Sequence, residues 1–161
     1  MPYFNSTTTL AEYPIRAIFI GSRNDIWVSI SGKGLFHWNG NTWQQFTSDN
    51  TGLPNNYINV ITKDHQNSLW FASGIGLTKF DGTNWNTYNT SNSGLPENDV
   101  NSIAIDDNGT KWIGTGGGSA AFDGTNWITY DPLNSGLPGN HVLAIAIDEN
   151  GTKWIGSMGL A

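Results

Sequence analysis

The sequence predicts an all-β protein: a β-propeller built of about four four-stranded antiparallel blades of ~42 residues, with the last blade incomplete. Three markers recur in one phase along the chain. One tryptophan series is spaced by 43, 42 and 42 residues and consists of Trp27, Trp70, Trp112 and Trp154. Two further markers recur every 42 residues, namely the series Trp43, Trp85 and Trp127 and the Gly-Leu-Pro triplets at 52–54, 94–96 and 136–138. Independent markers in register predict a chain of similar structural units.

The third unit shows the expected contents of one blade. Short segments with apolar and β-branched residues predict strands at 100–106, 111–115, 120–122 and 127–130. They are separated by a turn at 107–110, by the glycines at 116–118 and by the hairpin signal Asp123-Gly124. We expect the repeated tryptophans to lie between blades, where burial of one such ring contributes roughly 2–3 kcal/mol.

Other architectures fit less well. No window of ten residues has the 3.6-residue apolar period of a helix. A β-solenoid is the runner-up, but its coils usually need only about 20–30 residues, so a unit of four strands is less natural there. We therefore treat residues 1–161 as a single propeller domain.

Composition excludes several classes of function. The net charge is −6, and the seven Lys and Arg residues form no basic stripe, so no nucleic-acid partner is expected. The chain has no cysteine and no run of 18 apolar residues, so we expect no disulfide, no thiol chemistry and no membrane insertion.

Several segments resemble a known family. Residues 105–115 followed by Phe122-Asp123-Gly124-Thr125-Asn126-Trp127 are similar to the two-component-regulator propeller repeat, as are the Gly-Leu-Pro-x-Asn-x-Val segments at 94–100 and 136–142. In that family such blades build sensor regions outside the inner membrane of bacterial hybrid histidine kinases, and they also occur in exported proteins. The resemblance implies a periplasmic or extracellular location, although the given chain begins with no visible secretory signal. The first repeat departs from the pattern, because residues 22–25 replace the Asp-x-Asn-Gly turn.

Positions that differ between blades are candidates for a site, because structural positions should recur. Tyr57, Asp99 and His141 occupy one such position, before the innermost strand and near the expected mouth of the central channel, and each follows a repeated asparagine. The predicted ligand-binding residues are therefore Asn56, Tyr57, Asn98, Asp99, Asn140 and His141. The alternative for the asparagines is that each caps its connection by bonding to the backbone.

The polar residues carry no sequence signature of catalysis or of a cofactor. The three histidines have no metal-binding spacing, and the glycine-rich run at 114–118 lacks the ending of a phosphate loop. The acidic turns at 106–108 and 148–150 offer oxygens to calcium, but their short length favours Asx turns. We therefore predict no catalytic residue, no metal, no cofactor and no enzymatic activity.

The predicted function is a non-enzymatic module that recognises a glycan, a peptide or a protein at one propeller face. The alternative is a structural protein whose partial propellers join into a ring, and a propeller lyase is less favoured. The expected partner is a second copy, giving an eight-bladed ring in which residues 2–5 complete the partner's fourth blade. A four-bladed monomer and a piece of a longer chain are the other possibilities.

Overall fold

The computed structural model describes residues 13–158, which form four antiparallel sheets in sequence order. Three of these sheets have four strands each, paired with their neighbours along the chain, and the fourth sheet has two. We number the sheets as blades 1 to 4. This arrangement confirms the predicted β-propeller with an incomplete last blade.

The strands of each blade have the following bounds. Blade 1 consists of β1 (Ile15–Ser22), β2 (Asp25–Ile30), β3 (Gly34–Trp38) and β4 (Trp43–Phe46). Blade 2 consists of β5 (Ile58–Lys63), β6 (Leu69–Ser73), β7 (Gly76–Phe80) and β8 (Trp85–Tyr88). Blade 3 consists of β9 (Val100–Ile105), β10 (Lys111–Thr115), β11 (Gly118–Phe122) and β12 (Trp127–Tyr130). Blade 4 consists of β13 (His141–Ile147) and β14 (Lys153–Met158).

Blade 3 has the four strands that the sequence predicts, with two shifted ends. β11 begins at Gly118 rather than at residue 120, because Thr115 pairs with Gly118 and leaves only residues 116 and 117 in the turn. Gly118 has a φ of 133°, a conformation that glycine adopts without a steric penalty. β9 ends at Ile105, one residue early, because the side chain of Asp106 already belongs to the following turn.

The connection between blades 3 and 4 contains one helical turn. This helix, α1, spans Pro132–Ser135. Asp131 caps it, since its Oδ1 accepts hydrogen bonds from the backbone N–H groups of Leu133 at 2.7 Å and Asn134 at 3.1 Å. Residues 13–158 contain no other helix, and α1 is far too short to cross a bilayer.

Neighbouring blades pack face to face through apolar clusters. The cluster between blades 1 and 2 consists of Trp27, Leu35, Leu53, Ile58, Ile61, Leu69 and Phe71. The cluster between blades 2 and 3 consists of Trp70, Ala72, Leu77, Leu95, Val100, Ile103, Ile113 and Phe122. The first strands of the blades lie side by side in the order β1, β5, β9, β13 and therefore line the inner edge of the propeller.

A tryptophan, an aspartate and a lysine meet at the interface of blades 2 and 3. The indole Nε1 of Trp70 donates a hydrogen bond of 2.8 Å to Asp64 Oδ2. Lys111 of blade 3 places its Nζ 3.7 Å from that oxygen and 5.2 Å from the centroid of the indole ring. The predicted core role of Trp70 is confirmed, since the residue is 1% exposed.

The interface of blades 3 and 4 repeats these contacts. Trp112 Nε1 donates to Asp106 Oδ2 at 2.9 Å, and Lys153 Nζ lies 3.6 Å from the same oxygen. Burial raises the pKa of Asp106, but the hydrogen bonds from Trp112 and the backbone of Thr110 and the charge of Lys153 outweigh it, so the pKa lies below its usual range. Asp106 Oδ1 also accepts N–H groups of the turn, as an Asx turn predicts.

Blade 1 forms the same contacts of a tryptophan, an aspartate and a lysine, but from other positions. Gly21 stands where the later blades have the aspartate, and Leu69 stands where they have the lysine. Asp25 replaces the missing carboxylate from the far side of the turn and accepts the indole N–H of Trp27 at 2.9 Å. Lys63, on the neighbouring strand, replaces the missing cation and lies 3.3 Å from Asp25. The two departures compensate each other, so the degenerate first repeat keeps its contact with blade 2.

Candidate functional site

The connections between blades enter the inner strands at one end of the propeller, which we call the connection end. The Gly34 N–H of blade 1 donates to the Asn56 carbonyl, just before β5, at 3.2 Å, and within blade 3 the Gly116 N–H donates to the Asp99 carbonyl at 3.2 Å. A Cβ on Gly74 of blade 2 would lie 3.6 Å from Asp99 Oδ1, just before β9. The short turns between second and third strands therefore lie beside the starts of the next inner strands. Residues at these starts form the rim of the central opening.

Tyr57, Asp99 and His141 occupy equivalent places on this rim in successive blades. Each stands at the start of β5, β9 or β13, and each is exposed, Tyr57 by 54%. The Tyr57 hydroxyl lies so close to Gly32 of blade 1 that a Cβ there would be 3.2 Å from it. The structure thus brings three chemically different side chains to one end of the propeller.

The asparagines before them do not behave alike. Asn56 Oδ1 accepts the backbone N–H of Ser48, and Asn98 Oδ1 accepts that of Thr90, both at 2.9 Å. These bonds close the two connections, which is the capping role that the sequence analysis kept as an alternative. The equivalent donor position in the third connection is Pro132, which has no N–H, and Asn140 is exposed.

Asn140 and His141 line a cavity of about 500 Å³ between blades 3 and 4. Its other walls are the glycine, proline and methionine residues Gly116, Pro132, Pro138, Gly139 and Met158. An apolar lining with a few polar groups at its edge is typical of small-ligand sites. Two of the six predicted site residues therefore meet in one concavity.

A second polar opening lies just inside the rim and was missed by the sequence analysis. Each inner strand carries a β-bulge two residues after the rim position, because two of its residues span one step of the neighbouring strand. The extra residues are Arg16, Asn59, Asn101 and Leu143. A bulge re-aims the side chain of its extra residue.

The first three of these residues line an open cavity of about 460 Å³. Arg16 Nη1 lies 3.4 Å from Asn59 Oδ1, and Asn101 Nδ2 donates to the Val142 carbonyl at 3.1 Å. In the sequence, these polar residues recur in phase with the repeat. In a regular strand, however, their side chains would point onto a blade face. Only the bulge places them at the inner edge.

No arrangement suited to metal binding is found among residues 13–158: no group of three or more His, Cys, Asp or Glu side chains there could hold an ion. Asp99 and His141 stand in different blades, at the starts of β9 and β13. The chemistry available on the rim is therefore hydrogen bonding, aromatic contact and charge.

Comparison with known proteins identifies the repeat. The family model described as "Two component regulator propeller" matches residues 52–74 and 94–117, which run from the connections into the second strands of blades 2 and 3. Two segments of the chain therefore match the two-component-regulator propeller repeat. The predicted resemblance is thereby confirmed, whereas no curated protein matches the chain by sequence.

Solved structures share the arrangement of these propeller repeats. The extracellular domain assigned to the hybrid two component system BT3049 of B. thetaiotaomicron has a TM-score of 0.77 at 25% identity, over 89% of this chain and 20% of that one. Virginiamycin B lyase from Staphylococcus aureus has a TM-score of 0.71 at 12% identity, over 93% of this chain and 50% of the lyase. PorZ of Porphyromonas gingivalis, a surface component of the type-IX secretion system, has 0.61 at 21%, over 89% and 23%. The chain spans between a fifth and a half of these proteins, and the last two likenesses show the fold alone.

Proposed function

We propose that the chain is a non-enzymatic binding module that recognises a glycan at the connection end of the propeller, with a peptide or protein as the alternative ligand. The observation that carries the proposal is the exposed rim of Tyr57, Asp99 and His141, three different side chains at one repeated place. An exposed tyrosine beside hydrogen-bonding groups suits a sugar ring, which offers an apolar face and hydroxyls. The likeness to the BT3049 extracellular domain supports a sensor-like role outside the cytoplasm.

The lyase likeness supports an enzyme less well. At 12% identity it concerns the arrangement of the blades and not the residues of a site. The repeat family and the BT3049 extracellular domain both point to sensor regions, and we therefore favour binding over catalysis.

Binding can be tested with a glycan array and a phage-displayed peptide library. We expect the wild-type protein to retain at least one member that the triple variant Tyr57→Ala, Asp99→Ala, His141→Ala loses by about tenfold or more in affinity, since the three side chains supply the contacts. A triple variant of Asp107, Thr125 and Ile128 to alanine, all exposed on blade 3 and away from the rim, is the matched control. Equal retention by both triple variants would contradict the proposal.

A second candidate function is assembly, and the exposure of repeated residues favours it. Trp154 is 64% exposed, whereas the equivalent Trp27 and Trp70 are buried between blades. On the opposite side of the arc, Ile18 is 57% exposed, whereas the equivalent Ile61 is 7% exposed. At the internal interfaces, the tryptophan face of one blade packs against the isoleucine face of the next blade. The exposed tryptophan face of blade 4 and the exposed isoleucine face of blade 1 therefore match each other, so a second copy is the fitting occupant.

The exposed end of blade 4 keeps part of the contacts of the internal interfaces. Asp148 accepts the indole N–H of Trp154 at 3.0 Å, but within residues 13–158 no lysine pairs with it as Lys111 and Lys153 pair with their aspartates. Head-to-tail docking of two copies would form a two-fold ring of eight blades. The predicted contribution of residues 2–5 lies outside the described residues.

Light scattering at micromolar concentration should give twice the chain mass of 17.5 kDa. Ile18→Glu should shift the protein to a single-chain mass, because it places a charge in the apolar contact. Leu133→Glu, on α1 at the connection end, should leave the mass unchanged. A single-chain mass for the wild type would rule out the assembly.

A further inference from the structure

The bulge positions at the inner edge form a site of their own. The geometry points to a carboxylate-binding site in the central channel, in which Arg16 holds the anion and Asn59 and Asn101 donate further hydrogen bonds. This inference rests on the proposed function, because it names the chemistry of a ligand bound at the same opening. It concerns residues that neither the rim nor the repeat motif includes.

Arg16 is the charged member of the site. Of the five N–H groups of its guanidinium, one donates to Ser31 Oγ at 3.2 Å and one to Asn59 Oδ1 at 3.4 Å. Within residues 13–158, no carboxylate lies at ion-pair distance from Arg16, whereas Lys63, Lys111 and Lys153 each pair with an aspartate. The guanidinium therefore offers planar, paired N–H donors, the geometry that matches a carboxylate.

The two asparagines complete the donor set. Because Asn59 Oδ1 accepts from Arg16, its Nδ2 is the part of the amide left to donate. Asn101 Nδ2 has two N–H groups, and one of them bonds to the Val142 carbonyl. Asp99 on the rim disfavours ligands with several negative charges, so a single carboxylate on an otherwise neutral ligand fits best.

The site can be probed with acetate and, as a neutral ligand of the same shape, acetamide. In ¹⁵N NMR titrations at constant ionic strength, acetate should shift the Arg16 Nε–H signal and the side-chain amide signals of Asn59 and Asn101, and acetamide should not. Arg16→Gln should weaken acetate binding by about tenfold or more. Arg23→Gln removes the same charge from the turn between β1 and β2 and should leave binding unchanged. Similar shifts with acetamide, or unchanged acetate binding in Arg16→Gln, would overturn the inference.

A second variant does not depend on the behaviour of Arg16→Gln. Asn59→Asp places a carboxylate of nearly the same shape beside the guanidinium, and it should abolish acetate binding by occupying Arg16 from within. Retained acetate binding in Asn59→Asp contradicts the site.

If acetate binds as described while no glycan or peptide depends on the rim, the proposed function fails and the inference stands. If the retained ligand is neutral and binds Arg16→Gln as well as it binds the wild type, the inference fails and the proposed function stands.

Discussion

Replacing Trp70 with alanine is expected to lower the free energy of unfolding by about 3–5 kcal/mol, the usual cost of removing a large aromatic from a core. The indole packs between blades 2 and 3, with ring-centroid distances of 5.8 Å to Tyr88 and 6.3 Å to Phe122. Its loss also removes the N–H donor to Asp64. Denaturant unfolding followed by circular dichroism gives the free energy directly.

Trp154→Ala is the matched control, since Trp154 occupies the same place in blade 4 but is largely exposed. Its loss should cost less than about 1 kcal/mol in dilute protein, as is usual at surface positions. Equal losses of unfolding free energy in Trp70→Ala and Trp154→Ala would contradict burial between blades as the cause of the loss in Trp70→Ala.

Asp64→Ala is expected to cost about 3–5 kcal/mol, because it leaves the charge of a buried lysine without its partner. The side chain of Asp64 is fully buried, and that of Lys111 is 6% exposed. Asp64 also accepts N–H groups from Gln66 at 3.0 Å and from Ser68 at 2.9 Å, so the turn loses its internal bonds as well. The same unfolding experiment measures the loss.

Asp148→Ala tests whether the unpaired lysine causes the loss of unfolding free energy in Asp64→Ala. Asp148 makes the equivalent bonds to Asn150, Thr152 and Trp154, at 2.9–3.0 Å, but it is not paired with a lysine within residues 13–158. The loss in Asp148→Ala should therefore be clearly smaller than that in Asp64→Ala. A loss in Asp148→Ala as large as that in Asp64→Ala would assign the whole effect to the turn.

The repeat made most of the fold predictable, because its markers report local chemistry. The bounds of β10 and β12 agree with the sequence prediction, since a turn or hairpin signal precedes each. Blade 1 was harder, because Asp25 and Lys63 restore an interface from positions outside the repeat pattern. Asp25 reaches the indole of Trp27 from two residues before it on β2, and only the packing of β5 beside blade 1 shows that Lys63 reaches Asp25.

The site was predictable only in part. Variation between blades led to Tyr57, Asp99 and His141, which the structure places on one rim. The same reasoning could not separate Asn140 from Asn56 and Asn98, because the difference lies in the missing N–H of Pro132. Arg16 was missed because a β-bulge changes the direction of a side chain without leaving a residue signature.

The central claim is that the connection end of the propeller binds the ligand. Hydrogen–deuterium exchange with the tightest member retained from the glycan array or the peptide library tests it most directly. We predict that the ligand slows exchange at residues 55–59, 97–101 and 139–143, at the rim and the bulges, and leaves the opposite turns at 106–110 and 148–152 unchanged. Slowed exchange confined to those opposite turns or to the outer strands β4, β8 and β12 would contradict the account.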